Sequence, residues 1–147
     1  MGQSGSYLPE DVREAVVERL EEAPVSLALL FGSHATGQAV PGSDIDIAVE
    51  YDEPIEDTAD RHLSLVADLT QILGRDDIDV VQLTTVDPRI AVEALETGQL
   101  LVGTSEEATR LRDELEPARQ RSEELVQDRI KDAERKIERR LQRREHG

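Results

Sequence analysis

The sequence predicts an α+β fold: a small mixed β-sheet with flanking helices, in the broad α/β class, followed by a long C-terminal amphipathic helical extension. Three observations predict it. Helix-period and strand-like segments follow one another as α-β-β-α-β-α-β over residues 9–104. The apolar runs are short and bounded by Gly, Pro, Asp and Ser, as strands between turns are. Residues 105–147 carry dense charge of both signs along one sustained apolar line.

The polar, glycine-rich start, MGQSGS within residues 1–8, reads as a flexible N-terminus. In LPEDVREAVVERLEEA, Pro9 suits a first helical turn, Glu10 and Asp11 favour the positive helix end, and Val12, Val16 and Leu20 share one face. VSLALLF is a short apolar run, a buried strand ending at Gly32. Pro41-Gly42 makes a turn, and SDIDIAVEY then alternates, with Ile45, Ile47 and Val49 on one face and Asp44, Asp46 and Ala48 on the other. DTADRHLSLVADLTQILG repeats Leu65, Leu69 and Ile72 at helical spacing and stops at Gly74. DIDVVQL is a third strand. VDPRIAVEALETG is a short helix capped by Asp87, with Pro88 in its first turn and Gly98 as its stop, and QLLVG is a fourth strand.

In the extension, Leu111, Leu115, Ala118, Ser122 and Leu125 keep a 4-3-4-3 rhythm, continued one residue out of step by Val126, Ile130, Ala133, Ile137 and Leu141. Pro117 marks a kink or a fresh helix start. A narrow seam of this kind needs a surface: the domain itself, a second copy of the chain in a homodimer, or another protein. The expected organisation is therefore a flexible segment 1–8, a domain 9–104 and a docking or oligomerisation helix 105–147.

Composition narrows the function. The 147 residues contain no cysteine, which excludes disulfides, thiolate metal sites and a Cys nucleophile. No apolar run approaches the roughly 18 residues of a membrane span, and no signal-peptide pattern opens the chain; a cytoplasmic protein is expected, without membrane partners. The net charge is −16, and all of the excess lies in residues 1–104, which hold 21 acidic and 5 basic residues. Such a body repels nucleic acid, so no direct nucleic-acid binding is expected. Fifteen Arg against two Lys, many acids and few aromatics resemble a salt-adapted proteome, as in halophilic archaea, more than an ordinary acidic soluble protein.

The chemistry concentrates in GSHATGQAVPGSDIDIAV. Asp44 and Asp46, two apart on a strand, point to one face, where two anions repel unless a cation lies between them. A hard divalent cation with oxygen ligands, most simply Mg²⁺, answers that. Asp79, the acid leading DVVQL, is the best third ligand; Asp76 and Asp77 lie in the preceding turn and are weaker choices. Gly32-Ser33 follows a strand, where a glycine admits a phosphate close to the backbone and free N–H groups with a hydroxyl bind its oxygens. A phosphate cradle beside metal-binding carboxylates suits a nucleoside triphosphate bound through Mg²⁺. Gly32, Gly37 and Gly42 are not followed by Gly-Lys-Ser/Thr, so no P-loop is present, and no G-x-G-x-x-G occurs. His34 beside Ser33 makes no triad, and His62 and His146 read as surface residues.

Gly-Ser, ten residues, then Asp-x-Asp resembles the signature of the minimal nucleotidyltransferase family in the DNA polymerase β-like superfamily, and DIDVVQLTTVDPRIAVEALETGQLLVG resembles its third-carboxylate strand, short helix and closing strand. The resemblance covers residues 9–104. It implies the polymerase β-like nucleotidyltransferase fold, Gly32 and Ser33 on the β- and γ-phosphates, Asp44 and Asp46 on Mg²⁺, and Asp79 completing the site and helping to deprotonate the acceptor. Many such proteins are antitoxins paired with a HEPN-type RNase toxin, which the enzyme silences by transferring AMP from ATP to a tyrosine. Family members often carry Arg at the positions of His34 or Thr36; neither is a permanent cation here. Two other readings stand beside this one: an antitoxin that neutralises by binding alone, and a small-molecule transferase of the aminoglycoside-modifying kind.

Overall fold

The structure is a computed structural model that describes residues 8–32, 44–52 and 58–146. The N-terminal MGQSGS segment, the Pro41-Gly42 turn, and Ser33, His34 and Thr36 lie outside the described residues. Eight elements follow in chain order: α1 (Glu10–Glu22), β1 (Val25–Phe31), β2 (Ile45–Tyr51), α2 (Thr58–Leu73), β3 (Ile78–Gln82), α3 (Pro88–Thr97), β4 (Gln99–Val102) and α4 (Ser105–His146). Their types and order are those read from the sequence.

The four strands form one sheet in the order β3-β2-β1-β4. β1 is antiparallel to both β2 and β4, and β2 is parallel to β3, so the sheet is mixed as expected. VSLALLF forms a central strand. Its side chains alternate between two cores: Ala28 and Leu30 join Val16, Leu20, Leu65 and Leu69 beneath α1 and α2, while Leu27 and Leu29 join Ala91, Ala94 and Leu95 beneath α3 and α4. Burial on both faces is why the run reads as continuously apolar rather than alternating. In β2, Ile45, Ile47 and Val49 enter the first core and Ala48 the second.

Local chemistry sets the element ends. Pro9 stands just before α1 rather than within its first turn, and its carbonyl accepts from Arg13 N–H at 2.8 Å. Gly74 closes α2 with φ +68°, a left-handed backbone that suits glycine. Gly98 ends α3 for a different reason. Its φ is −75°, an ordinary value, but an added Cβ would lie 2.5 Å from the Ala94 carbonyl oxygen and 3.0 Å from that of Leu30. Close packing, not backbone conformation, requires the glycine there.

His62 is not a free surface residue, contrary to the expectation. It is half-buried on α2, with Nε2 2.9 Å from the Val80 carbonyl oxygen of β3 and Nδ1 2.8 Å from the Tyr51 hydroxyl at the end of β2. A carbonyl only accepts, so Nε2 carries the proton and, in the neutral ring, Nδ1 accepts from Tyr51. Burial pushes the Tyr51 hydroxyl above its usual pKa, with Arg19 partly opposing.

The extension is one continuous helix of 42 residues running through Pro117, not two. At the usual rise it is about 63 Å long. Its first part belongs to the domain: Ala108 and Leu111 sit in the second core and Leu115 packs against it. Two contacts pin α4 to the two ends of α3, with Arg112 bridging Glu96 at 2.7 Å and Ser122 donating to Asp87 at 3.2 Å. Beyond Val126 every residue through Arg144 is exposed.

Candidate active site

Three segments meet at one end of the sheet: the C-terminal end of β1 and the N-terminal ends of β2 and β3. Antiparallel pairing puts Phe31 opposite Asp46, so Gly32 follows directly beside the Asp46 strand. Parallel pairing puts Asp46 opposite Asp79. Adjacent strands lie about 4.8 Å apart, so these two carboxylates spring from neighbouring backbone positions.

Alternation then fixes the face. Ile45 and Ile47 on β2, and Val80 on β3, point into the first core, beneath α1 and α2. Asp46 and Asp79 therefore project to the opposite face, the one on which Ala48 and Val81 pack under α3 and α4. Asp44 precedes the first residue of β2 and shares that phase. Asp46 is half-buried, and Asp44 and Asp79 are exposed.

Gly32 has φ +77°. A Cβ built there would lie 2.5 Å from Oδ2 of Asp46 and 3.4 Å from its carboxyl carbon. The glycine thus serves two ends: it allows the left-handed turn that leaves β1, and it leaves the space that the Asp46 carboxylate occupies. The second was not foreseen from the sequence, which suggested only close approach of a phosphate.

The turn before β3 holds the site from the other side. Asp77 accepts from the Ile45 N–H through its main-chain carbonyl at 3.1 Å, fastening the start of β2 to the residue before β3. Its side chain takes both arms of the Arg75 guanidinium. That pairing, first, and the Asp44 charge nearby raise the Arg75 pKa above its usual value. Asp77 is therefore a clamp between two strands. Arg75 went unremarked in the sequence reading; its signal is a lone basic residue in GRDD, a turn otherwise made of acids.

Among the described residues no three His, Cys, Asp or Glu side chains stand close enough together to hold a metal ion. The backbone brings Asp44, Asp46 and Asp79 to one end and one face of the sheet, but their carboxyl groups are not gathered there. Like charges on directly opposed strand positions repel, so separated carboxylates are the expected resting arrangement. Ser33 lies outside the described residues, so its position relative to the carboxylates is not part of this geometry.

The family model for polymerase β nucleotidyltransferases matches residues 14–107, most of the chain and all of the site just described. The chain belongs to the polymerase β nucleotidyltransferase family. Among curated proteins, a candidate protein adenylyltransferase of Methanocaldococcus jannaschii, MJ1379, is 47% identical over 45 residues, which are 31% of this chain and 45% of that protein. The match thus spans less than half of the relative. Among solved structures, a chain of a toxin–antitoxin complex with AMP-PNP superposes with a TM-score of 0.70 at 24% identity, covering 82% of this chain and 97% of that one. A chain from the complex of a tri-AMPylated Shewanella oneidensis HEPN toxin with an MNT antitoxin superposes with a TM-score of 0.66 at 21% identity, covering 84% and 97%. At these identities the superpositions establish the nucleotidyltransferase fold.

Proposed function

We propose that this nucleotidyltransferase transfers AMP from ATP to a hydroxyl of a partner protein, a HEPN-type toxin, with a tyrosine as acceptor, and so acts as an antitoxin. The observation that carries the reading is the placement of Asp46 between Gly32 and Asp79, with Asp44 two residues away on the same face. The adenylyltransferase relative and the toxin–antitoxin fold neighbours support the choice of substrate and partner.

The donor set fits Mg²⁺: three carboxylates and no softer ligand, on one face, with a cation the natural counter to their repulsion. Asp44, Asp46 and Asp79 would hold it, and it would supply charge neutralisation on the phosphates and on the leaving pyrophosphate. Gly32 and Ser33 bind the β- and γ-phosphates. The acceptor hydroxyl oxygen forms a bond to the α-phosphorus as the bond from that phosphorus to the bridging oxygen breaks. Asp79 takes the hydroxyl proton, and pyrophosphate carries away the electron pair of the broken bond. The protein works in the cytoplasm; among the described residues no helix is long and apolar enough to cross a membrane.

One observation favours a second reading. The carboxylates are not gathered as they stand, as suits an antitoxin that neutralises by contact alone. The deciding experiment incubates the protein and its genomic neighbour with Mg²⁺ and ATP labelled at the α- or the γ-phosphate. Transfer from α-labelled ATP only, abolished by Asp44→Ala with Asp46→Ala, is the expected result. Neutralisation that survives the double substitution without label would replace catalysis by binding.

A further inference from the structure

We propose that the free end of α4, from Val126 onward, pairs with the same segment of a second copy of this chain as a parallel, in-register two-stranded coil. The inference does not depend on the catalytic reading, since none of the residues it rests on belongs to the site.

Ile130, Ile137 and Leu141 are 46%, 56% and 53% exposed although they are large and apolar. With Ala133 they recur at spacings of three, four and four residues. On a straight helix those four positions fall within an arc of roughly 80°. The line ends at Leu141; Arg144 is the next residue on it.

The flanks of this line differ in sign. Arg129, Lys136, Arg140 and Arg143 follow one side, and Glu134 and Glu138, with Lys131 among them, the other. As an isolated helix the segment is poorly supported. Residues 135–144 contain six basic side chains and one acid, and Lys131/Arg135, Arg135/Arg139, Lys136/Arg140, Arg139/Arg143 and Arg140/Arg144 each place like charges one turn apart. An exposed stretch of some twenty residues is marginal alone, so it gains most from a partner that covers the line and answers the charge.

A second copy does both. In a parallel pair the basic flank of each helix faces the acidic flank of the other. Arg129 then meets Glu134 of the second copy, five residues further on, the offset at which flanking charges pair across a two-stranded coil. The sequence repeats that offset eleven residues later at Arg140 and Glu145, the same eleven that separate Ile130 from Leu141. An antiparallel pair would set basic flank against basic flank. A nucleic acid would answer the arginines but leave the apolar line uncovered and face the acidic flank.

The chain has no cysteine, which makes the test direct. Ile130→Cys, Ile137→Cys and Leu141→Cys are made singly in the full chain and treated with diamide, beside Glu114→Cys as an exposed control. Parallel in-register pairing gives covalent dimer at all three tail positions and not at the control. Dimer at one of the three only would mean an antiparallel crossing and would overturn the proposal. So would dimer at none, with a monomer mass by sedimentation equilibrium at 100-fold dilution steps from about 100 µM. A companion measurement takes Ile137→Glu, which leaves the folded body untouched: its dimer dissociation constant rises at least tenfold with the thermal midpoint of the body unchanged. An unchanged constant would refute the seam. Binding of labelled RNA that displaces self-association, or a stable complex of one copy with the neighbouring gene product in which the dimer disappears, would assign the tail to that partner instead.

Discussion

Gly32→Ala tests the geometry on which the site reading stands. The substitution asks two things of the structure. An L-residue at φ +77° costs about 1–2 kcal/mol in backbone strain alone. The new Cβ also meets Oδ2 of Asp46 at 2.5 Å, so that carboxylate must move. A side-chain end can rotate away cheaply, and the stability loss is therefore set mainly by the backbone. For a domain of this size the loss lowers the melting midpoint by about 2–8 °C. The activity loss is larger in kind, because the group that moves is a proposed metal ligand: AMP transfer from α-labelled ATP falls about 100-fold or more, on the order seen when catalytic groups are misplaced by an ångström. The assays are thermal unfolding followed by circular dichroism, and labelling of the partner at saturating and subsaturating ATP. Unchanged unfolding together with unchanged transfer would refute both the left-handed turn and the closeness of Asp46. Loss of stability without loss of transfer would leave the turn and remove Asp46 from the chemistry.

The remaining predictions concern the frame around the site. Asp87 caps α3 by accepting from Arg89 N–H at 2.9 Å, and it also receives the Ser122 hydroxyl of α4. Asp87→Ala should cost about 1 kcal/mol near neutral pH, read from urea unfolding. The Arg89 side chain, then its backbone N–H, holds the Asp87 carboxyl well below the usual carboxylate range, so the folded pKa lies below the unfolded one. Its stabilising contribution is therefore complete above the unfolded value of 3.8 and is lost as pH falls below it, so the difference between wild type and Asp87→Ala shrinks with acidification through that window. Tyr51→Phe leaves His62 Nδ1 without its donor and should cost about 0.5–1.5 kcal/mol by the same measurement, with AMP transfer unchanged; no stability loss would mean that water replaces the hydroxyl freely.

Much of this architecture was legible because its signals are local or periodic. Gly74 and Asp87 are turn and cap chemistry and sit where those residue types predict. The doubly buried β1 announced itself as an unbroken apolar run, and the alternation in β2 separated the core face from the Asp44 and Asp46 face. Other features depend on contacts between distant segments, and periodicity carries no trace of those. Gly98 reads as a helix stop, yet the space a Cβ would need is closed by the Leu30 carbonyl of β1 as well as by the Ala94 carbonyl of its own helix. His62 reads as surface, yet Tyr51 and Val80 come to it only after β2 and β3 pair. Pro117 reads as a break, but a helix tolerates it here: its ring removes one donor to the Asp113 carbonyl, while Ala108 and Leu111 before it and Ser122 after it hold both sides to the domain.

The same distinction separates what the site owes to the backbone from what it owes to a ligand. Strand pairing alone brings Asp46 opposite Asp79 and sets Gly32 beside them, and this costs the fold only the repulsion of neighbouring anions. Gathering the three carboxylates would ask for a positive charge among them, and Arg75, which feels the Asp44 charge, has both arms on Asp77. A site built this way is poised rather than closed. Strand pairing places the acids, and on the proposed function their convergence would follow the arrival of the cation and the phosphates it accompanies. Asp46→Asn and Asp79→Asn would each relieve the opposed pair, so the variants that damage transfer most are expected to fold at least as stably as the wild type, the trade that marks a charge pair kept for function rather than for the fold.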